Sequence, residues 1–537
     1  MKKHSLFILF FISIQAFSQE DAWIYFNEKP NAEFYFANPL QMLSQRALDR
    51  RTNQNIALDT KDIPISLDFI EQIDAVNGIV VMAKSKWMNA IHVRGSINAI
   101  QSLASFSFVS EIDFADASLN GILIDRPIHS SRNSAYNKSL ENQTSFSYGN
   151  SNNQIEMLNG HLLHEQNYTG TGKIIAVLDA GFPGVNTIQP FERARDNNLI
   201  LGGYNFVSRN DDIYTADDHG TLVLSSMGGY TENQLVGTAP DAAYYLFITE
   251  DIASENPVEE SLWVEAAETA DSLGVDVINT SLGYFNYQNP NYSYTYEDMD
   301  GATSFISRGA DLAFSRGMVV VVAAGNSGNS QNPHIATPAD AFNVLTVGAV
   351  DADEQYASFS SEGNSSDGRV KPDVMAQGLS AVLSNASGEI IVGSGTSFAC
   401  PITAGLVACL WQALPEKTNA EIMQLIKASA HLYTNPNVEF GYGIPNFAAA
   451  LENALQVNTI FENQFLLYPN PAATKVFVHL PKGYEKAKVV FYNSLGQMVL
   501  EKRDVSLDIN IESLNSGLYF YTLTVQNVVH SGKLIKK

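Results

Sequence analysis

Residues 318–326 read Met-Val-Val-Val-Val-Ala-Ala-Gly-Asn, an apolar run that ends in a glycine and an asparagine. A continuous apolar run, without the alternation of a half-exposed strand, is typical of a parallel β-strand that is buried on both faces. Residues 174–178, Ile-Ile-Ala-Val-Leu, and residues 275–278, Val-Asp-Val-Ile, follow nearly the same pattern. The three runs predict a parallel sheet in the middle of the chain.

The segments between these strands have the spacing of helices. Residues 258–273 place Leu262, Ala266 and Ala270 on one helical face. Strands that alternate with helices indicate an α/β domain, in which helices cover both faces of a mainly parallel sheet. We assign residues 155–455 to this domain.

The composition of the 537-residue chain excludes several classes of protein. Because 45% of the residues are hydrophobic, the chain can bury large cores. Its 32 basic and 57 acidic residues give a net charge of −25, which argues against nucleic-acid binding, since phosphate recognition needs an excess of Lys and Arg. Two cysteines are too few for a disulfide scaffold or a paired-cysteine zinc site. Cys400 and Cys409 face opposite sides of a predicted helix, and we expect two buried free thiols.

The chain begins with two segments of different character. Residues 1–18 carry two lysines, an apolar run and small residues in the order of a secretory signal peptide. Residues 19–118 are predicted to form a small α+β region. Its predicted strands are 23–26, 78–82 and 108–112, and its predicted helices are 39–51 and 91–103.

Two linkers and a β-domain complete the predicted organisation. Residues 119–154 are rich in Ser and Asn and poor in aliphatic residues, which predicts an exposed linker open to cleavage. Proteolytic maturation is expected between residues 116 and 155. Residues 456–464 are a second predicted linker. Residues 465–537 have only strand-like alternation and turn sequences, which predict a small all-β sandwich.

Four polar residues lie where parallel-sheet enzymes keep their chemistry, at the carboxyl ends of strands and the starts of helices. Asp179 and Asn326 each follow a predicted buried strand, and His219 and Ser397 each precede a predicted helix. A carboxylate can hold an imidazole in one tautomer, the imidazole can activate a serine, and an amide can stabilise an oxyanion. Each residue alone is more often a cap or a turn residue. Together, in the order Asp, His, Asn, Ser, they favour a catalytic site.

With these motifs, residues 155–455 resemble a subtilisin-like serine protease of the subtilase family. The matching stretches are Asp179-Ala-Gly, His219-Gly-Thr, Asn279-Thr-Ser-Leu-Gly, Ala324-Gly-Asn and Gly395-Thr-Ser-Phe-Ala-Cys-Pro. Three residues depart from the usual residues of the family, and none of them replaces a reacting group: Ala180, Phe182 and Phe398.

The resemblance implies a three-layer subtilisin-like α/β fold and a catalytic role for four residues. Asp179 would orient the imidazole, His219 would act as general base and then acid, Ser397 would be the nucleophile and Asn326 the oxyanion donor. Two further stretches would form a strand that pairs with the substrate and a wall of the primary pocket: Ser281, Leu282 and Gly283, and Ala323, Ala324 and Gly325. The implied function is a serine endopeptidase that acts on proteins or peptides and requires no cofactor for the chemistry.

The flanking regions resemble accessory parts of such proteases. Residues 19–118 are similar in position and pattern to subtilase propeptides, which are chaperones and temporary inhibitors; a permanent accessory domain is the alternative. Residues 465–537 resemble the sorting domain of the Bacteroidetes type IX secretion system; a carbohydrate-binding or adhesive β-module is the alternative. The second resemblance implies the outer-membrane secretion machinery as a partner and a secreted or cell-surface location. It rests on Leu467-Tyr-Pro-Asn-Pro, Gly517-Leu-Tyr and Gly532-Lys-Leu-Ile-Lys-Lys.

Two alternatives stay open from the sequence. Residues 284–300 are rich in Tyr, Asn and acidic residues, and Glu297, Asp298 and Asp300 are of the type that binds structural calcium. The same segment is otherwise a surface loop, which we favour. For the function, the alternative is a catalytically silent protein of the same fold that binds peptides at the cell surface.

Overall fold

The computed structural model describes residues 19–120, 146–462, 466–480, 486–505, 508–525 and 528–537. The predicted signal peptide, residues 1–18, and most of the first predicted linker, residues 121–145, lie outside the described residues. The chain divides into two compact units, Met1–Ala450 and Leu451–Lys537.

Residues 19–120, the N-terminal domain, form a four-stranded antiparallel sheet with short helices. The elements are β1 (Glu20–Phe26), α1 (Ala32–Ala37), α2 (Gln45–Asn53), α3 (Leu67–Asp74), β2 (Ile79–Ser85), β3 (Ala90–Gly95), α4 (Ile97–Ser102) and β4 (Val109–Phe114). The strand order is β2-β3-β1-β4. Apolar residues of α3 and α4 share a buried core with the sheet, so the region is the predicted α+β unit.

The helix predicted at residues 91–103 is wrong in its first half. Residues 90–95 form the inner strand β3, which pairs with β1 and β2, and α4 begins only at Ile97. Ile91 and Val93 are buried in the core of the N-terminal domain. His92, which points to the other face, is also buried. Ile91 and Val93 alternate with His92 and Arg94, as in a strand, and Gly95 ends this strand before Ser96, the N-cap of α4.

Residues 146–450 form the α/β domain. Its strands are β5 (Ile174–Asp179), β6 (Ile200–Asn205), β7 (Tyr230–Thr231), β8 (Leu235–Val236), β9 (Ala243–Ile248), β10 (Val277–Thr280), β11 (Val319–Ala323), β12 (Leu345–Val350), β13 (Val374–Gln377), β14 (Ala381–Ser384) and β15 (Ile390–Gly393). Its helices are α5 (Asn152–Glu156), α6 (His161–His164), α7 (Glu192–Asp196), α8 (His219–Gly228), α9 (Val258–Leu273), α10 (Phe305–Ser315), α11 (Thr396–Ala413), α12 (Asn419–Ser429) and the first residues of α13 (Phe447–Glu462).

A seven-stranded parallel sheet of order β13-β12-β11-β10-β5-β9-β6 forms the centre of this domain. All residues of β11 are buried, as the apolar run predicts. Ile278, Val320 and Val322 pack with α9 and α10 on one face, and α8 and α11 pack together on the other. The predicted three-layer α/β fold is therefore confirmed. Among the described residues, α11 is the one helix long and apolar enough to cross a membrane, and most of it is buried inside this domain.

The N-terminal domain packs on α9 through buried charges. Arg51 lies 2.8 Å from Asp271 of α9 and 2.9 Å from Asp62 of its own domain. Glu268 of α9 accepts hydrogen bonds from Ser85 Oγ at 2.6 Å and from the Trp87 backbone N–H at 2.9 Å. Other buried contacts across this interface are the hydrogen bonds of Trp23 and His92 to Ser261 and of Tyr292 to Glu20.

The predicted linker at residues 119–154 ends earlier in the structure. From residue 146 onward the chain lies on the α/β domain, and α5 begins at Asn152. Tyr148 is buried, with its hydroxyl 2.8 Å from His164 Nδ1, and Phe146 packs against the same histidine. Phe146 and Tyr148 thus provide buried apolar surface in a segment whose composition is otherwise rich in Ser and Asn.

Residues 284–300 are also more buried than the surface loop that we favour from the sequence. Tyr284, Tyr287 and Tyr292 are buried and belong to the core that includes α9 and α10. The hydroxyls of Tyr287 and Tyr294 each donate to Glu260 Oε1 at 2.6 Å. Tyrosine can be buried in this way because it combines a large apolar ring with a polar tip.

The smaller unit is an all-β structure that follows α13. The helix runs through Glu462, over residues predicted as a linker. The strands are β16 (Leu466–Tyr468), β17 (Lys475–His479), β18 (Ala487–Tyr492), β19 (Met498–Val505), β20 (Asp508–Asn510), β21 (Gly517–Val525) and β22 (Val528–Lys536). They form sheets of order β16-β17-β20 and β19-β18-β21-β22, whose apolar residues share one core.

Two of the sequence motifs in this unit meet in space. The backbone N–H of Ala472 donates to Ile535 O at 2.9 Å, and that of Lys537 donates to Ala472 O at 2.8 Å. Asn470 Oδ1 accepts from the Ile535 backbone N–H at 2.8 Å. The Tyr-Pro-Asn-Pro stretch is therefore hydrogen bonded to the last residues of the chain.

Candidate active site

Asp179 is the last residue of β5, at the carboxyl end of the parallel sheet. Its Oδ1 atom accepts from the backbone N–H of Ala180 at 2.8 Å and lies 2.7 Å from His219 Nδ1. The side chain is almost fully buried, and its Oδ2 atom has no hydrogen-bond partner within the described part of the chain. A buried carboxylate at this distance fixes the orientation and tautomer of the imidazole.

His219 is the first residue of α8, and its side chain is one-third exposed. Its backbone N–H donates to Asp217 Oδ1 at 2.9 Å. The next residue must be a glycine, because a Cβ at Gly220 would lie 2.4 Å from the Gly181 carbonyl oxygen. The charge of Asp179 raises the pKa of His219 to about 9, against the opposing effect of burial.

Ser397 is the second residue of α11, where the N-terminal end of the helix dipole favours negative charge. Its side chain is half-buried, and its carbonyl oxygen accepts from Ser281 Oγ at 2.8 Å. The next residue, Phe398, has its ring centre 6.0 Å from that of His219. The departure from the usual family residue at position 398 thus places an aromatic ring beside the histidine.

Asn326 lies beyond the end of β11, next to the first turn of α11. Its Oδ1 atom accepts from the Thr396 backbone N–H at 2.8 Å and from Thr396 Oγ1 at 3.0 Å. Elsewhere in the described chain we find no acceptor for its Nδ2 hydrogens. Gly325, which precedes it, has φ 106°, a conformation that glycine adopts without a steric penalty. The fixed Oδ1 leaves the amide hydrogens free to donate near Ser397.

The two predicted substrate-binding stretches lie at the ends of neighbouring strands. Residues 281–283 follow β10. Ala323 is the last residue of β11, which pairs with β10, and residues 324 and 325 follow it. Ser281 is held by Asn279 Nδ2 at 3.1 Å, Leu282 is half-buried and Gly283 is exposed. Ala323 and Ala324 are buried, so they would form a wall mainly through their backbone.

A cleft of about 500 Å³ opens beside His219. It is lined by Asp179, Ala180, Asp217, His219, Glu250, Asp251, Ile252, Ser254, Glu255, Glu259, Ser281, Leu282 and Gln288. The lining residues that sequence reasoning missed include five acidic ones: Asp217, Glu250, Asp251, Glu255 and Glu259. A signal was available for two of them, because Glu250 and Asp251 follow β9 as Asp179 ends β5, and the two strands are neighbours.

Two of the three candidate calcium ligands, Asp298 and Asp300, accept hydrogen bonds from nearby residues of their own loop. Asp298 Oδ2 accepts from the backbone N–H and hydroxyl of Thr295 at 2.7 and 2.8 Å. Asp300 Oδ1 accepts from the backbone N–H groups of Ala302 and Thr303 at 2.7 and 2.8 Å. Over the residues that the structure describes, no group of three or more His, Cys, Asp or Glu side chains is placed to hold a metal ion.

Both cysteines are free and buried. The Cys400 thiol donates to Asn279 Oδ1 at 3.3 Å, and burial raises its pKa well above the usual range. Burial likewise raises the pKa of Cys409. Both thiols are therefore protonated and inaccessible, which makes neither a nucleophile.

Comparison with known proteins gives matches over three parts of the chain. Residues 170–443 match the Subtilase family, residues 21–136 match the Peptidase S8 propeptide domain of Bacteroidota, and residues 466–537 match the Secretion system C-terminal sorting domain. These matches cover the α/β domain, the N-terminal domain and the all-β unit, respectively.

Several subtilisins are similar to the chain. Subtilisin E of Bacillus subtilis is 31% identical over 301 residues, which cover 56% of this chain and 70% of that protein. Subtilisin of Bacillus pumilus is 31% identical over 301 residues, or 56% of this chain and 98% of that protein. Subtilisin DY of Bacillus licheniformis is 29% identical over 291 residues, or 54% of this chain and 93% of that protein.

The family match, the similarity to subtilisins and the three-layer α/β fold agree with one another. The sorting-domain match indicates export through the outer membrane to a secreted or cell-surface location. The chain belongs to the subtilase family and is an exported serine endopeptidase with an N-terminal propeptide and a C-terminal sorting domain.

Proposed function

We propose that Asp179, His219 and Ser397 hydrolyse peptide bonds as a catalytic triad. The observation that carries the proposal is the 2.7 Å contact between the buried Asp179 carboxylate and His219 Nδ1. Ser397 is in the first turn of α11 and precedes Phe398, whose ring centre lies 6.0 Å from that of His219. Ser397 Oγ attacks the peptide carbonyl carbon while His219 takes the hydroxyl proton. His219 then gives that proton to the leaving amine, and water hydrolyses the acyl-enzyme by the same route.

Asn326 stabilises the tetrahedral oxyanion in this proposal. Its Nδ2 donates to the oxyanion together with the backbone N–H of Ser397 at the N-terminus of α11. Removing one such donor typically raises the barrier by about 3–4 kcal/mol. Every reacting group belongs to the chain itself, so we propose no cofactor for the reaction.

The substrate binds as an extended segment along residues 281–283. These residues continue an inner strand of the sheet beyond its hydrogen-bonded part, and the exposed Gly283 lets another backbone approach closely. Backbone pairing of this kind gives affinity with little dependence on sequence. Residues 323–325 form one wall of the pocket for the side chain next to the scissile bond.

The propeptide acts as an inhibitor, and the type IX machinery as the export partner. Support for the first role comes from the buried contacts of Arg51 and Ser85 with α9. Asp116, near the end of the N-terminal domain, also accepts from Asn291 Nδ2 at 3.0 Å. Support for the second comes from the sorting-domain match.

A fluorophosphonate probe, which labels activated serines, tests the triad. We expect the wild-type chain to be labelled and Ser397→Ala to be unlabelled and inactive. Ser394→Ala is the matched control, because Ser394 is an exposed serine on the same loop. Because autoprocessing needs the same nucleophile, Ser397→Ala should also keep its propeptide attached.

The thermal melting curve separates loss of chemistry from loss of fold. Ser397→Ala should melt like an unprocessed wild-type chain. If the processed wild-type protein takes up no probe and cuts no peptide, the triad is wrong, and the catalytically silent peptide-binding protein becomes the better explanation.

A further inference from the structure

The cleft beside His219 is lined by acidic side chains and by no basic one other than the histidine itself. Asp217 precedes α8, Glu250, Asp251 and Glu255 lie between β9 and α9, and Glu259 is in the first turn of α9. A groove with walls of one sign of charge concentrates ligands of the opposite sign.

These carboxylates have no cationic partner in the described chain outside the catalytic pair. Glu259 is held by two backbone N–H groups, those of Asp251 at 2.9 Å and Asn256 at 2.8 Å. Glu250 accepts from the Tyr284 hydroxyl at 2.6 Å. Neutral donors fix both side chains, and neither is paired with a cation. Burial, together with repulsion from neighbouring carboxylates, raises the pKa of Glu250 to about 7 and that of Glu259 to about 9. The negative charge of the empty cleft at neutral pH therefore comes mainly from its other acidic side chains, and a bound cation would favour ionisation of these two as well.

The buried Asp179 provides an independent observation. Only its Oδ1 atom contacts His219, and Oδ2, although buried, meets no donor among the residues that the structure describes. Asp179 is also one of the residues that line the cleft. An unpartnered buried carboxylate oxygen is costly and indicates a missing positive or hydrogen-bond-donating group in this cleft.

A metal ion does not fit as that group. The carboxylates are spread along the cleft, and within the described ranges no three of them converge as metal ligands. A long side chain with a terminal cation can instead extend along the groove, with its charge between several carboxylates and its methylene groups against Leu282 and the exposed Ile252.

We propose that this cleft binds a Lys or Arg side chain of the substrate, in the segment that lies along residues 281–283. The protease would therefore prefer proteins with a basic residue close to the scissile bond. This inference rests on the proposed function, because it concerns the specificity of the same site.

Matched fluorogenic peptides test the preference on the processed wild-type enzyme. Each pair carries Lys or the uncharged isostere norleucine at one position around the scissile bond and neutral residues elsewhere. We expect kcat/KM to be about tenfold or more higher for Lys at one or more positions on the amino-terminal side. The ratio should fall as NaCl is raised from about 50 mM to about 500 mM, because salt screens exposed charges.

Glu255 is the residue to change, because its side chain is exposed and lies away from the reacting atoms. Glu255→Gln should lower the Lys-to-norleucine ratio severalfold, and Glu255→Lys should favour a Glu peptide over the Lys peptide. Glu156→Gln removes an exposed carboxylate that does not line the cleft and should keep the wild-type ratio.

Equal kcat/KM for Lys and norleucine at every position, or an unchanged ratio in both Glu255 variants, would overturn the inference. Such results leave the proposed function standing, because the norleucine peptides are still cut and the probe still labels Ser397. If no peptide is cut and the probe does not react, both the proposed function and the specificity fail.

Discussion

At the scale of single residues, His219 is where the surroundings bear most directly on the proposed chemistry. The contact with Asp179 raises the pKa of His219 to about 9, and the charges of Asp217 and Glu250 act in the same direction. An imidazole is a general base only when it is neutral. The acidic residues around His219 therefore lower the activity expected near pH 7, because they keep the imidazole protonated at that pH.

We expect kcat/KM to rise with pH as His219 loses its proton, with the midpoint of the rise near pH 9 and a plateau above it. Asp217→Asn should move this rise to lower pH by about half a unit, the effect of one charge several ångströms away in a solvated site. The substitution keeps an Oδ1 acceptor for the His219 backbone N–H. pH profiles measured with an uncharged peptide check the shift. Asp353→Asn, an exposed acid outside the cleft, should leave the profile unchanged, and an equal shift in that control would contradict the argument.

At the scale of elements, α9 connects the catalytic core with the propeptide. Trp263, Ala266 and Ala267 pack it beneath the sheet, whereas Glu268 and Asp271 contact the N-terminal domain. The two acids behave differently. Burial opposes ionisation of Asp271, but the charges of Arg51 and Arg50 hold its pKa below the usual value. Burial raises the pKa of Glu268 to about 7.

The raised pKa of Glu268 predicts that propeptide binding weakens as pH rises. The hydrogen-bond partners of this carboxylate belong to the N-terminal domain, so release of the propeptide returns the group to water and to its ordinary, lower pKa. The bound state therefore takes up a proton between that lower pKa and about 7. The contribution of Glu268 to the free energy of propeptide binding is complete at acidic pH and is lost as pH rises through about 7.

We expect the fraction of cleaved propeptide that co-elutes with the catalytic domain to fall between about pH 5 and pH 8, with a change in affinity of at most about tenfold per pH unit from this group. Glu268→Gln should flatten the dependence, because glutamine keeps an acceptor for Ser85 and Trp87 but does not titrate. Glu156→Gln serves as the control. A pH dependence that persists in full in Glu268→Gln would place the titrating group elsewhere.

At the scale of the whole molecule, the parts of the chain have separate tasks. The propeptide and the catalytic domain share a buried, charged interface, whereas the C-terminal unit has its own core. In that unit, β22 pairs with β21 along its whole length, from Gly517 opposite Lys536 to Val525 opposite Val528. The terminal strand also contributes Leu534 to the core.

Residues 460–537, fused behind a signal peptide and a fluorescent carrier, should be exported by a Bacteroidota host that has the type IX system. The same fusion without residues 528–537 should stay inside the cell envelope, because β21 loses its partner strand and the core loses Leu534. Fluorescence in the culture medium and on washed cells measures both. Export of neither fusion would favour an adhesive or binding module over a sorting signal.

The sequence by itself determined the family and the parallel sheet, and it predicted the reacting groups that we propose. Asp179, His219, Asn326 and Ser397 were found because each lies at a strand end or a helix start, where a few neighbouring residues fix the backbone. The apolar run that forms β11 was recognised for the same local reason. Patterns of this kind can be recognised from the sequence because their physical cause involves only a few neighbouring residues.

Only the tertiary structure decided features that depend on what covers each face. Residues 90–95 were predicted as a helix, and their pairing with β1 and β2 makes them a strand. The tyrosines of residues 284–300 were assigned to the surface, whereas Tyr287 and Tyr294 donate to Glu260 of α9. The acidic cleft likewise depends on which elements the fold brings together. Glu250 lies near Asp179 because β9 neighbours β5, and Glu259 joins it from the next helix. The acid-rich stretch of residues 250–260 is visible in the sequence, but only the order of strands in the sheet brings it beside Asp179 and His219.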